Sequence, residues 1–346
     1  MQMSIFEKLS LYKHELVAFG WKDKVKAIIA VHSTKLGPAC GGIRMWNYHS
    51  EEDALRDVLR LSVAMTLKNA AAGLNLGGGK CVVIGDPNKD KNEELLLSLG
   101  DFVQSLGGTY ITAEDIGITS EDLAIISRRT RYVVGLPESL GGMGDCSPYT
   151  ALGVFHSIKT ALDFLYGSPS LEGRTIAIQG LGKVGGNLAK LLLSEGARVL
   201  GSDVSNEKNE SAKRLGVDII PPEEILFTPC DVLAPCARGG IINKETIPKL
   251  RCKIICGAAN NQLENDDDAW LLEEKGILYI PDFIANAGGI ISLSVEMEGK
   301  FSKEIAEERV KRVGERVQEL LRIHEEEKIT TLEAGLRMAL SRLQEG

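Results

Sequence analysis

Lys68, Lys80 and Asp115 are charged residues in settings where charge is uncommon. Lys68 closes an apolar helical run in "AMTLKNAAAG", Lys80 follows three glycines in "LNLGGGKCVVIGDP", and Asp115 ends a strand-like stretch in "TAEDIG". Most lysines and aspartates end as solvated surface charges. A lysine flanked by small and apolar residues either snorkels or pairs. Two ammonium groups and a carboxylate that converge make a site rather than a surface. The glycines raise a rival use for Lys80, phosphate binding. A P-loop requires Gly, four residues, then Gly-Lys-Ser/Thr, after a strand and before a helix. Here Leu74 occupies the first Gly position, Cys81 replaces the Ser/Thr, and the strand follows the lysine. The phosphate reading fails, and Lys80 needs another partner.

A second chemistry is written in "TIAIQGLGKVGGNLAKLLLSEGARVLGSD". An apolar strand leads into Gly180-x-Gly182-x-x-Gly185, a helix follows, and a second strand ends at Asp203. That order is the dinucleotide fingerprint. Gly180 makes the tight turn, Gly182 lets the backbone approach a pyrophosphate, and Gly185 packs helix on strand. The helix N-terminus supplies N–H groups to the phosphates. Asp203 lies about 20 residues beyond the motif, where a carboxylate accepts from the ribose hydroxyls and repels a 2′-phosphate. NAD is therefore expected over NADP, and over FAD, whose motif usually opens a chain.

The surrounding pattern is α/β: strand and helix alternate through residue 140 and again beyond it. Residues 1–20 have helical spacing, and 26–34 read as a strand. "GPACGGIRMW" (37–46) reads as a glycine-rich turn, and the glycines before Lys80 as another. "SEEDALRDVLRLSVAMTLKNAAAG" (50–73) is a helix capped by Ser50. A strand at Lys80, a helix over 92–108, a strand ending at Asp115 and a short helix from Ser120 follow. Residues 140–150 are glycine-rich and polar, a hinge. Residues 147–167 form a helix with Ser147 as cap and Pro148 first. "DVLAPCA", "KIICGAAN" and "ILYIPDFIANAGG" supply short strands of a covered parallel sheet. Residues 301–325 and 330–344 are helical. The division expected is a substrate-binding and oligomerisation domain over 1–140, joined by a C-terminal helix at 325–346, and a Rossmann-like domain over 141–324, with a cleft between them.

Composition narrows the class. The 346 residues carry a net charge of −8 and are 44% hydrophobic and 25% charged, as in ordinary globular proteins. An acidic chain with no basic stripe is a poor partner for nucleic acid or anionic membrane. No apolar run reaches the roughly 18 residues of a membrane helix. The N-terminus lacks the apolar core of a secretory signal, so a cytoplasmic protein is expected. Seven cysteines without a C-x-x-C, and five unclustered histidines, imply reduced, mostly buried thiols and no metal.

Eight segments, running in order from residue 36 to about 297, resemble the Glu/Leu/Phe/Val dehydrogenase family, and within it most closely the leucine (branched-chain) enzymes. They are "LGPACGGIRMW", "MTLKNAAAGLNLGGGKCVVIGDP", "TAEDIG", "SPYTALGV", "GLGKVG", "CDVLAPCA", "GAANNQLEN" and "PDFIANAGG". The resemblance implies NAD(P)-linked, reversible oxidative deamination of an L-amino acid to a 2-oxo acid and ammonia. It assigns Lys68 to the substrate α-carboxylate, Lys80 to activation of water, and Asp115 to the proton of the amine. Gly41, Gly42, Gly77 and Gly78 would line the substrate. Thr150, Asn260 and Asn261 would lie near the nicotinamide, with Lys183, Val184 and Ala237 completing the nucleotide site. Burial and the Lys68 ammonium would both disfavour a charged Lys80 and make it a base near neutral pH. Closure about residues 140–150 would exclude water.

Specificity turns on four positions. In glutamate enzymes a lysine occupies the position of Cys40 and a serine that of Leu293, both contacting the γ-carboxylate. Cys40, Leu293, Ala113 and Ile290 form an apolar pocket instead, so a buried glutamate side chain would lack a partner. Branched aliphatic substrates are expected. Cys40 stands where the leucine enzymes have leucine, which enlarges the pocket and leaves a phenylalanine or tryptophan enzyme as the alternative. A non-catalytic NAD-binding regulator is the remaining alternative, against which the complete Lys68, Lys80 and Asp115 set speaks. A homo-oligomer is implied. The sequence stops at "LEAGLRMALSRLQEG", short of the longer tail of the leucine enzymes, so an octamer is not.

Overall fold

The computed structural model describes residues 10, 11, 13–22 and 25–345. The chain folds as two units. One takes the described residues up to Asp145, with Leu293–Lys303 and the residues from Ala339 onward. The other takes Cys146–Ser292 and Glu304–Met338.

The first unit is built on a five-stranded sheet of order β1-β2-β4-β3-β5. Its strands are β1 (Leu16–Lys22), β2 (Val25–Ser33), β3 (Ala39–Trp46), β4 (Gly77–Ile84) and β5 (Tyr110–Glu114). β1, β2 and β4 pair antiparallel, whereas β4, β3 and β5 run parallel. Helix α1 (Glu51–Ala71) begins where Ser50 accepts from the Asp53 N–H, as its sequence predicts, with three acids in its first turn. Ala54, Leu55, Val58 and Leu59 of α1 pack on Ile28, Ala30 and Val82. The opposite sheet face, with Ile29, Ile43, Met45, Cys81 and Val83, packs on helices α2 (Glu93–Ser105) and α3 (Ser120–Ile126). Alternate residues of one strand thus serve two cores.

Three expectations fail in this unit. In the described part of 1–20, Ser10 and Leu11 are helical as expected, but from Leu16 the chain is a strand, because its backbone pairs with β2 in register Leu16↔Val31 through Lys22↔Val25. Residues 1–9 and 12 of that stretch lie outside the described residues. Both glycine-rich "turns" are strands: Gly41 and Gly42 lie within β3, and Gly77, Gly78 and Gly79 open β4. The reason is crowding rather than conformational freedom. A Cβ on Gly41 would overlap the Gly79 carbonyl oxygen, and one on Gly78 would overlap the backbone N and Oγ1 of Thr66 in α1. Only glycine permits that approach. α3 begins at Ser120, as expected, with Thr119 as its cap.

The second unit holds a six-stranded sheet, all parallel, of order β11-β10-β9-β6-β7-β8. Its strands are β6 (Thr175–Gln179), β7 (Arg198–Ser202), β8 (Asp218–Ile219), β9 (Val232–Pro235), β10 (Ile254–Ile255) and β11 (Leu278–Tyr279). This is the doubly wound nucleotide-binding order, whose strand sequence reverses between β6 and β9. β8, two residues long, is too short to read from sequence. Helix α4 (Ser147–Tyr166) has Cys146 at its N-cap position without a side-chain cap bond, so Ser147 lies one residue inside it, and it stops at Gly167 with φ +69°. α5 (Lys183–Ser194) follows the glycine turn, and α6 (Asn206–Arg214) follows β7. Further on come α7 (Asp268–Glu274), α8 (Asp282–Ala285) and α9 (Gly288–Met297). The helical stretch expected over 301–325 is two helices, α10 (Lys303–Lys311) and α11 (Val313–Glu327), and α12 (Thr331–Glu345) ends the chain. Among the described residues no helix is long and apolar enough to cross a membrane.

Candidate active site

Strand parity brings the chemistry of the first unit to one sheet face. Val82 of β4 meets α1, so Gly78 and Lys80 share its side. The pairings Cys40↔Gly78, Cys40↔Ile111 and Gly42↔Ala113 put Cys40, Gly42 and Ala113 there too. Asp115, two residues past Ala113, is held by the turn that follows β5, in which the Ile118 N–H donates to the Asp115 carbonyl. Gly117 of that turn has φ +83° and packs on the Met45 carbonyl.

Across β3, the Lys80 Nζ and the Asp115 Oδ2 meet at 2.8 Å. Gly42 lies beneath that reach, and a Cβ there would stand 2.9 Å from the Asp115 Cβ. Lys80 is 6% exposed. The Arg44 Nε donates to the same Asp115 Oδ2 at 2.9 Å, and its Nη1 donates to the Asp57 Oδ2 at 3.2 Å. The Tyr48 hydroxyl donates to the Asp57 Oδ2 at 2.7 Å. Burial pushes the Asp115 carboxyl up, but the Lys80 and Arg44 cations outweigh it and hold the group below the usual carboxylate range. The sequence suggests burial and the Lys68 ammonium as the influences on Lys80; the structure buries it and also gives it a carboxylate partner. Lys68 is half-buried in the last turn of α1.

The four residues expected to line a side-chain pocket divide between the two units. Cys40 and Ala113 lie on adjacent strands, both buried. Leu293 is buried against Gly135 in the first unit, whereas Ile290 is buried within the second. Cys40, Cys81, Cys252 and Cys256 are buried free thiols; burial pushes the Cys40 and Cys81 thiols up to about 12. Among the described residues no three His, Cys, Asp or Glu side chains gather as a metal site.

In the second unit the three fingerprint glycines have three different environments. Gly180 turns at φ +99°, with Ala237 packed where its Cβ would be. Gly182, the N-cap of α5, has open space where a Cβ would stand. A Cβ on Gly185 would overlap the Gly180 carbonyl, so helix and turn are in contact there. The Asp203 Oδ2 accepts from the Leu181 N–H at 2.9 Å and its Oδ1 from the Ser205 N–H at 2.9 Å. Burial pushes Asp203 up, and those N–H groups and Lys208 bring it below its ordinary value. Lys183 and Val184 open α5. At the strand ends, the buried Gln179 Oε1 and Ser202 Oγ have no protein partner. Open backbone at Gly182, a carboxylate beside the loop and two polar atoms at the strand ends fit a dinucleotide.

The expected nicotinamide-side residues also lie in this unit. The Thr150 Oγ1 donates to the Cys146 carbonyl at 3.2 Å, and a Cβ on Gly289 would crowd it at 2.9 Å. Asn261 is left-handed at φ +53°, and its N–H donates to the Asp282 Oδ2 at 2.6 Å. The Asn286 Nδ2 donates to the Asn260 Oδ1 at 2.8 Å.

Two family descriptions match the chain. Residues 17–132 match the Glu/Leu/Phe/Val dehydrogenase dimerisation domain, and residues 141–208 and 201–345 match Glutamate/Leucine/Phenylalanine/Valine dehydrogenase. The chain belongs to the Glu/Leu/Phe/Val dehydrogenase family. It is an NAD(P)-dependent L-amino acid dehydrogenase. The leucine dehydrogenase of Thermoactinomyces intermedius is 46% identical over 346 residues, which cover 99% of this chain and 94% of that one. The phenylalanine dehydrogenase of the same organism is 43% identical over 345 residues, 98% of this chain and 94% of that one. The solved L-tryptophan dehydrogenase of Nostoc punctiforme is 43% identical, superposes with a TM-score of 0.87, and each chain covers 99% of the other.

Sequence reasoning missed four members of this dehydrogenase's site architecture. Arg44 was visible as a charge between Ile43 and Met45 but was given no role. Asp57 reads as one of several charges on an exposed helix face. Asp282 and Asn286 support Asn261 and Asn260 from a stretch that reads only as a strand and loop.

Proposed function

We propose that this chain catalyses the NAD-dependent, reversible oxidative deamination of a branched aliphatic L-amino acid to its 2-oxo acid and ammonia. The convergence of Lys80 and Asp115 on the α1-facing side of the sheet, beside buried Cys40 and Ala113, carries this reading. Lys68 holds the substrate α-carboxylate. Asp115 takes and returns the proton of the amine. Lys80, once its own proton is lost, takes a proton from the water that attacks the oxidised Cα and gives it to the departing nitrogen as the carbinolamine collapses and its hydroxyl proton leaves to solvent. Gly41, Gly42, Gly77 and Gly78 keep side chains out of the substrate's way. Bound NAD supplies the hydride acceptor. Gly180, Gly182, Lys183, Val184 and Gly185 cradle its pyrophosphate, and Asp203 holds the adenosine ribose and repels a 2′-phosphate. Thr150, Ala237, Asn260 and Asn261 lie toward the nicotinamide half. The first unit takes the substrate and, as its family description suggests, makes the subunit contacts of a homo-oligomer.

Burying a γ-carboxylate beside Cys40 and Ala113 would cost several kcal/mol. Leucine, valine and isoleucine lack that charge. The likeness to phenylalanine and tryptophan dehydrogenases, with a small residue at Cys40, favours an aromatic substrate as the second reading. Reductive amination of a panel of 2-oxo acids with ammonia and NADH decides between them. The expected ranking puts the leucine and valine oxo acids first, with 2-oxoglutarate at least about 100-fold slower in kcat/KM. Highest kcat/KM with phenylpyruvate or indolepyruvate would replace the branched-chain reading, and no NADH oxidation anywhere would end both.

A further inference from the structure

Arg44 has no role in the reading above, yet it is bonded to the carboxylate that moves the amine proton. We propose that Arg44 is a positioning residue, which fixes Asp115 with one arm while Asp57 and Tyr48 anchor the other. The inference rests on the amino acid dehydrogenase reading of Lys80 and Asp115. Three observations carry it. The guanidinium spans two carboxylates, with Nε at 2.9 Å from the Asp115 Oδ2 and Nη1 at 3.2 Å from the Asp57 Oδ2. Its anchor is held in turn, because the Tyr48 hydroxyl donates to that Asp57 oxygen at 2.7 Å. The Arg44 and Asp57 side chains are only 21% and 17% exposed, so water screens the chain of charges weakly.

The arrangement does two things for the reaction. Lys80 and Arg44 both contact Oδ2 of Asp115, at 2.8 and 2.9 Å. A carboxylate held at one oxygen by two cations presents the other in a fixed direction, and Oδ1 is then the atom that exchanges the amine proton. Charge is the second contribution. Lys80 gives up and regains a proton during turnover, so its ammonium cannot compensate Asp115 throughout the cycle. Arg44 stays cationic at every working pH. A lysine in its place could satisfy one carboxylate but could not present a planar fork to both.

Asp115 interacts with Lys80 from β4 and Arg44 from β3, through Arg44 with Asp57 from α1, and electrostatically with Tyr48 beyond β3 and Tyr110 from β5. Both tyrosines are pushed above their ordinary value, chiefly by burial, and stay neutral through the working range. Neither tyrosine therefore contributes to the acid limb of the rate profile.

The test measures kcat, KM and their pH dependence for L-leucine deamination in Arg44→Ala, Arg44→Lys and Asp57→Asn, with folding checked by circular dichroism. If the substrate panel prefers another amino acid, that one is used. In Arg44→Ala we expect kcat to fall roughly tenfold or more with KM within about threefold, and the acid limb to move up by about one pH unit. Arg44→Lys should return the limb toward wild type without restoring kcat. Asp57→Asn should lower kcat with a smaller displacement of the limb, and with Arg44→Lys it carries the test if Arg44→Ala does not fold. Wild-type kcat and acid limb in folded Arg44→Ala, or in both other variants, would overturn the proposal. So would a loss confined to KM. Asp115→Asn in the same assay separates the two levels. If it keeps turnover, the reading of Asp115 falls; if it is inactive while Arg44→Ala behaves as wild type, only the positioning role falls.

Discussion

Lys80 and Arg44 share one oxygen of Asp115, and that atom governs how the residue responds to pH. The folded state holds Asp115 below the value of about 3.9 expected in an unfolded chain. Stability from the cluster is therefore fully present above the unfolded value and is lost as pH falls through the folded one. Urea unfolding should show wild-type stability declining below about pH 4, and Asp115→Asn should flatten that decline. At neutral pH, Lys80→Ala should fold and lose roughly 10²- to 10⁴-fold in kcat. Near-wild-type turnover in that variant would remove Lys80 from the chemistry. The lysines and Asp115 stand out in the sequence because apolar and small flanks make a charge conspicuous. Arg44 is no less conspicuous, yet its partners are invisible: the partner carboxylate is 71 positions away, and Asp57 sits in a helix whose charges look like an ordinary wetted face.

The elements around these residues explain where sequence patterns mislead. Glycine disfavours strands, so "ACGGIRMW" and "GGGKCVVI" look like turns until their neighbours are known. Their glycines are contact points for α1 and for one another. Gly78→Ala should force α1 away from β4, because the new methyl group would meet the Thr66 backbone. A destabilisation of about 3 kcal/mol or more is expected, visible as a lower thermal midpoint. A contact between α1 and the segment before β1 carries a second pH response. The His14 Nε2 bonds the Ser62 Oγ of α1 at 2.7 Å, and the His14 ring stacks edgewise on His32 at 5.2 Å. Burial, then the His32 charge, lower His14 to about 4. A depressed folded value means stability present above the unfolded value of about 6.5 and lost as pH falls toward 4. Unfolding midpoints should decline across that interval, and His14→Asn should lose part of the decline. By contrast α1, α2 and α4 were legible at once, since apolar spacing and a terminal cap or glycine stop act within a few residues.

For the whole molecule, ligand linkage gives a measurement independent of catalysis. NAD at about 100 times its Kd should stabilise the nucleotide unit by about 2.7 kcal/mol. NADP at the same concentration should raise the thermal midpoint less, because Asp203 opposes its 2′-phosphate. Equal shifts would remove Asp203 from cofactor selection. The sequence by itself determined the α/β class, the glycine turn with its helix and acid, the principal helices, and Lys68, Lys80 and Asp115 as the residues to watch. Each is a local signal, set by spacing within one or two elements. Only the tertiary structure decided that β4 lies between β2 and β3, that glycine-rich segments are strands, and that Arg44 bridges Asp115 to Asp57. Those facts depend on which strands become neighbours, and strand order follows from burying two sheet faces at once, a balance no short stretch of chain encodes.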